Sequence, residues 1–229
     1  MEIEILYEDA QLAVCLKPPG VISEAGGMPE LLGAQLGGAF FCVHRLDRLT
    51  GGVMVYARKR ETAAALSARF AAGETQKRYL AAAQGVPEEG SGSFRDLLYH
   101  DAARGKSYVV KRARRGVKEA LLDYELLGTA EHEGRTLSLL EIALHTGRSH
   151  QIRVQLASRG MPLVGDGRYG SALRSLPLGL WAESLRFPHP ADGRELSFSA
   201  PPPNNLPWTL FGLHNIISIR LFLSREENS

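Results

Sequence analysis

Short links between apolar segments limit the fold of this chain more than any other feature. Residues 3–7 and 12–16 are apolar runs flanking only a brief turn at Glu8-Asp9-Ala10, and read as a hairpin. Residues 52–57, 77–84, 119–127 and 137–144 read as further strands. A parallel return needs a crossover of a dozen or more residues, and many links here are shorter, so the strands must pair largely antiparallel. Two segments carry helical spacing instead. Residues 62–72 place Leu66 and Phe70 on one face, with Gly73 as the stop. Residues 149–159 turn Ile152 and Leu156 toward a core, with Gly160 and Pro162 ending the helix. The tandem prolines of Lys17-Pro18-Pro19-Gly20 end the second strand. Residues 26–38 are glycine-rich and read as loop with at most a short helix. The class is α+β, built on a mixed, largely antiparallel sheet.

At 229 residues the chain suits one domain, or one domain with two lobes. Cys15 and Cys42 lie in apolar runs and form no Cys-x-x-Cys pair, which argues against a disulfide scaffold or a zinc ribbon. The first residues lack the basic start and apolar stretch of a signal peptide, and no apolar run reaches a membrane span, so a cytoplasmic protein is expected. The net charge of +2 is unevenly spread. Residues 1–50 hold 3 basic and 7 acidic side chains, residues 51–120 hold 14 and 7, and the remainder hold 10 and 11. The basic excess peaks at Arg104, Lys106, Lys111, Arg112, Arg114, Arg115 and Lys118. Such a run either neutralises nucleic-acid phosphates or is a solvated loop, and charge alone leaves both open.

Three segments carry chemistry. In the first, 43–52, Asp47 sits between Arg45 and Arg48 in a turn leading into an apolar strand. Nearby arginines favour an ionised carboxylate and can grip phosphate or base, yet a salt-bridged turn residue satisfies the same pattern. In the second, Gln76-Lys77-Arg78-Tyr79-Leu80-Ala81, strand alternation groups Lys77 with Tyr79. A tyrosine beside cations suits stacking on a base, against the commoner half-buried sheet tyrosine. In the third, 144–170, Arg148 falls in a strand-to-helix turn. His150 lacks a second ligand at metal spacing, so a hydrogen-bonded structural histidine is expected and no metal.

Taken in order, HRLDRLTGG at 44–52, KRYLAAAQG at 77–85, TGRSHQIRVQL at 146–156 and GMPLVGDGRYG at 160–170 resemble the RluA-type pseudouridine synthases, which modify large-subunit ribosomal RNA and transfer RNA. Weaker echoes at 5–20 and 185–193 extend the resemblance over roughly residues 3–205. It implies two abutting lobes with a central RNA-binding cleft, and an isomerase that converts a specific uridine to pseudouridine without a cofactor. Asp47 falls on the family's essential aspartate, Tyr79 on the tyrosine that contacts the target base, and Arg148 on the basic residue paired with that aspartate. Arg45 falls on an arginine that can fill the space of a flipped nucleotide. Asp47 acts at the sugar, either by attacking the anomeric carbon or by removing the neighbouring ribose proton. The implied partner is a stem-loop of ribosomal or transfer RNA bound by a monomer, with Lys111, Arg112, Arg114 and Arg115 on its phosphates. With Asp47 so near the first residue, no accessory N-terminal RNA-binding domain is expected.

Two positions depart from the family pattern. Gly51 stands where a serine is usual, and Trp181 where a histidine is frequent. Residues 1–211 form the expected catalytic domain, and 212–229 an extension whose alternating Ile217, Ile219, Leu221 and Leu223 suit an added edge strand or a disordered tail. Two rival functions compete. A catalytically silent RNA-binding protein would have lost Asp47, Tyr79 or Arg148, and all three are present. A glycosidase or nucleosidase would want a second positioned carboxylate, and none lies near Asp47 in sequence.

Overall fold

A computed structural model describes residues 1–212. The edge-strand reading of the extension rests on residues 213–229, outside the described residues. Strands β1 (Ile5–Glu8) and β2 (Leu12–Lys17) form the expected hairpin, and helix α1 (Met28–Leu36) follows. The pair β3 (Phe41–Cys42) and β4 (Gly51–Ala57) brackets the Asp47 segment, and helix α2 spans Arg60–Ala72. Strands β5 (Gln76–Gln84), β6 (Ser91–Asp101), β7 (Lys106–Val110), β8 (Val117–His132) and β9 (Arg135–Leu144) precede helix α3 (Gln151–Ala157). Strands β10 (Leu180–Pro188) and β11 (Glu195–Ser199) complete the sheet.

These strands make one sheet in the order β1-β2-β4-β10-β5-β9-β8-β6-β7, with β11 on β10 and β3 on β4. Among the described residues every pairing is antiparallel except β4 with β10, which run parallel over two residue pairs, Gly51 with Trp181 and Gly52 with Ala182. That short parallel seam joins two lobes. One holds β1 to β4 with α1 and α2. The other holds β5 to β9 with α3. The largest apolar core runs under both, from Cys15, Leu32 and Met54 through Tyr79 and Ala81 to Ile142, Ile152 and Leu156. A second core packs Leu66 of α2 against Val14, Val53 and Val55.

Local chemistry explains where elements begin and end. Gly73 takes the left-handed conformation that stops α2. Glu30 accepts hydrogen bonds from the amides of Gly26 and Gly27, tying down the start of α1. Helix α3 is shorter than residues 149–159 because His150 itself is left-handed, at φ 55°, so helical geometry begins only after it. The basic run is not one solvated loop. Lys106 lies in β7, which pairs with β6, and only 111–116 forms the connection to β8. Strand β6 is polar because one of its faces is exposed, which hides it from an apolar-run reading.

The seam explains both departures from the family pattern together. A Cβ on Gly51 would meet Trp181 Cζ3 at 2.5 Å and Pro19 Cδ at 2.9 Å. The indole thus occupies the room a serine would need, and its Nε1–H donates to the Ala200 carbonyl at 2.9 Å. Gly52, at φ 126°, lets the Ala182 backbone approach to 2.2 Å of where a Cβ would stand. Gly51→Ser is therefore expected to destabilise the protein by about 1–3 kcal/mol in urea denaturation. In a Trp181→His background, where a smaller ring sits on the seam, the same change should cost less than half as much. Equal costs in the two backgrounds would show that the positions are independent.

Candidate active site

The segment between β3 and β4 has no regular structure, yet nearly every carbonyl in it is claimed. Ser67 Oγ donates to Val43, Cys42 Sγ to His44, and the Thr50 amide to Asp47. Ser23 Oγ donates to the Leu46 carbonyl and accepts from the Leu46 amide. The Gly20 amide donates to Arg48. Lys17, fully buried at the end of β2, gives its ammonium protons to the carbonyls of Pro18 at 3.0 Å, Arg48 at 3.2 Å and Thr50 at 2.7 Å. Burial pushes Lys17 down to about 8, and the nearby Asp47 opposes that shift. A loop bound at so many points is a rigid platform, and it presents the partly exposed Asp47 to the cleft.

The opposite wall comes from the second lobe. Gln151 at the start of α3 accepts from Thr146 Oγ1 and the Arg148 amide, and donates to the Leu121 carbonyl of β8. These bonds fix the turn from β9 into α3. From α3, Arg153 reaches back across the cleft. Its Nη1 donates to Asp47 Oδ2 at 2.9 Å, while Nε and Nη2 grip Asp166 at 2.7 and 2.8 Å in a fork. Asp166 is itself buried, so Arg153 is held bidentately from behind and offers one free edge to Asp47. Burial works to lower the Arg153 pKa, but Asp166 and Asp47 together outweigh it and push it upward.

The expected pairing of Asp47 with Arg148 is therefore corrected to Arg153. Arg148 lines the same cleft, but its Nε donates to the Glu119 carbonyl at 2.8 Å. It is the structure that singles out Arg153: residues 151–156 of α3 are all buried, and a charged side chain on such a helix must find an acid. Sequence reasoning misses Lys17 and Ser23 because most of their partners are backbone groups far off in the chain, and Asp166 because its partner Arg153 is not itself singled out.

These walls enclose a cleft of ≈ 850 Å³ that includes Asp47, Tyr79, Arg45, Arg148, His150 and Arg153. Tyr79 is 7% exposed, and burial with the Asp47 charge pushes its phenol upward, so it stays protonated. Arg45 stands on the rim in an exposed pair with Glu24 at 3.3 Å. His44 is stacked on Phe70 and accepts the Val55 amide, and burial lowers it to about 3. Lys111, Arg112, Arg114 and Arg115 are exposed on the β7–β8 connection and do not line the cleft. His150 is hydrogen-bonded, through Nδ1 to the Tyr169 hydroxyl at 2.9 Å. Among the described residues no group of three or more His, Cys, Asp or Glu is placed to hold a metal.

The cleft thus brings together a carboxylate on a rigid loop, a fixed guanidinium that binds it and a buried tyrosine. Comparison with known proteins identifies the family. Residues 11–158 match the family model described as RNA pseudouridylate synthase. The ribosomal large subunit pseudouridine synthase D of Xanthomonas campestris pv. campestris is 34% identical, over 89% of this chain and 67% of that protein. The corresponding Pseudomonas aeruginosa protein is 31% identical over 92% of this chain and 71% of its own. The solved structure of human RNA pseudouridylate synthase domain containing 1 superposes with a TM-score of 0.76 at 25% identity, covering 89% of this chain and 85% of that one. Human RNA pseudouridylate synthase domain containing 4 gives 0.72 at 25% identity, covering 87% and 88%. The chain belongs to the RNA pseudouridylate synthase family, isomerases that convert uridine in RNA to pseudouridine.

Proposed function

We propose that Asp47 is the catalytic group of this pseudouridine synthase and that its substrate is a stem-loop of large-subunit ribosomal RNA. The observation that carries the reading is the Asp47 carboxylate, a quarter exposed to the cleft and bound on its other side by Arg153 at 2.9 Å. In the reaction the bond from C1′ to N1 of uracil breaks and a bond from C1′ to C5 forms; C5 loses its proton and N1 gains one, so the change is an isomerisation. Asp47 either attacks C1′ or takes the proton from C2′, and the hydrogen bond from Arg153 holds the carboxylate oriented for either step. Tyr79 is a poor base while its phenol is held protonated, which favours a role in stacking on the detached uracil.

The base must leave its stack, and loop bases cost least to extrude. Arg45 can swing into the gap cheaply, because an exposed pair such as that with Glu24 is worth about 0–1 kcal/mol. Large-subunit ribosomal RNA is favoured over transfer RNA by the names of the relatives, and a cleft built from one chain fits a monomer. Lys111, Arg112, Arg114 and Arg115 act outside the cleft, on phosphates of the RNA that flanks the target.

Asp47→Asn is expected to fold and to bind RNA normally while forming no pseudouridine, measured as tritium release from RNA labelled at uracil C5. Release near the wild-type rate would remove Asp47 from the chemistry. Mapping pseudouridines in total RNA with and without the gene locates the site, and a site in transfer RNA would overturn the ribosomal assignment. Replacing Lys111, Arg112, Arg114 and Arg115 together by alanine should weaken RNA binding. It should also flatten the dependence of log K on log salt by roughly 0.7–0.9 for each phosphate no longer neutralised, leaving the rate at saturating RNA unchanged. An unaltered salt slope would place the RNA elsewhere.

A further inference from the structure

His150 is a strained residue whose imidazole reaches the catalytic carboxylate, and nothing in the site described so far uses it. It sits in the left-handed region at φ 55°, ψ 26°, a conformation that a non-glycine residue holds only where its surroundings fix it. The fixing group is the Tyr169 hydroxyl, 2.9 Å from His150 Nδ1. That hydroxyl already accepts the Ser107 amide at 2.8 Å. Ser107 Oγ in turn donates to the Ser149 carbonyl at 2.6 Å, so the arrangement is braced from β7. When the Tyr169 hydroxyl, which accepts the Ser107 amide, gives its own proton to His150 Nδ1, both groups are satisfied by one arrangement. In that arrangement the ring proton is left on Nε2.

Nε2 lies 3.8 Å from Asp47 Oδ2, too far for a hydrogen bond. His150, with 17% of its side chain exposed, lines the cleft, and among the described residues its Nε2 has no hydrogen-bond acceptor. Burial lowers the His150 pKa, Asp47 opposes, and Arg153, Arg168 and His100 add to the lowering, so the neutral ring dominates near pH 7. Resting on the reading of Asp47 as the group that acts at the sugar, we infer that His150 Nε2–H donates a hydrogen bond to the 2′-oxygen of the target nucleotide. The 2′-hydroxyl is the polar group of ribose next to both C1′ and C2′, the two atoms on which Asp47 can act. It is also the group that distinguishes RNA from DNA. His150 is on this account a specificity-determining residue for ribose.

The test has two readouts. Imidazole nitrogen spectra of the full chain labelled with ¹⁵N-histidine need no RNA, and should show His150 protonated at Nε2. A proton on Nδ1 would overturn the inference. The second compares kcat/KM on the stem-loop located by mapping with the inhibition constant of the same stem-loop carrying deoxyuridine at the target. His150→Asn tolerates the left-handed backbone but cannot reach the cleft; His150→Gln can bring an N–H there. His150→Asn should lower kcat/KM about fivefold or more and leave deoxyuridine inhibition unchanged, and His150→Gln should recover part of the loss. Equal weakening on both RNAs would assign His150 a structural role and sink the ribose contact, as would an unchanged kcat/KM. A wild-type protein that modifies no uridine contradicts the pseudouridine synthase reading instead, while the tautomer still decides whether a donor faces Asp47.

Discussion

The Lys17 ammonium is closed off from solvent and gives its protons to three backbone carbonyls, two of which belong to the loop that carries Asp47. An ammonium buried without such acceptors would cost several kcal/mol, so the loop and the lysine hold each other in place. The Lys17 side chain folds back over the end of β2, which the tandem prolines terminate, to meet Thr50. The loop has few conformations open to it, so Asp47 is positioned before any RNA arrives.

The second lobe answers with a relay of opposite sign. Asp166 fixes Arg153, and Arg153 fixes Asp47, so a buried acid on one side of the cleft orients an acid exposed to it on the other. The relay crosses between lobes that are otherwise joined at the short β4–β10 seam and through the shared core. The Gly51 and Trp181 departures lie on that seam, beside the loop and away from the relay. They exchange one packing solution for another and leave Asp47, Arg153 and Tyr79 in place.

Much of this is legible in the sequence because it is local. The β1–β2 hairpin follows from two apolar runs and a short turn, and α2 from Leu66, Phe70 and the Gly73 stop. Asp47, Tyr79, Arg45 and Arg148 do converge on one cleft, as the ordered motifs imply. What fails is pairing across long separations. Arg153 and Arg148 stand on the same short motif, and only the helix direction decides which of them reaches Asp47. The left-handed backbone at His150 shortens α3 and sets that direction. Strands β6, β7, β10 and β11 escape a reading of apolar runs because each mixes exposed polar positions with few buried ones, or is interrupted by proline and charge. Charge alone leaves the role of the basic residues at 111–115 open, and the structure places them on the β7–β8 connection, outside the cleft.

The central claim is that Arg153, held by Asp166, is the group that keeps Asp47 oriented for catalysis. Single-turnover rates and RNA dissociation constants of Arg153→Lys and Arg148→Lys test it most directly. Lysine keeps the charge but cannot span Asp166 and Asp47 together as the guanidinium does. The account predicts that Arg153→Lys binds RNA as the wild type does and reacts about 100-fold more slowly, the scale expected when a catalytic group is misplaced by an ångström. Arg148→Lys should react at close to the wild-type rate once saturated. A normal rate for Arg153→Lys, with collapse of the rate in Arg148→Lys, would contradict it.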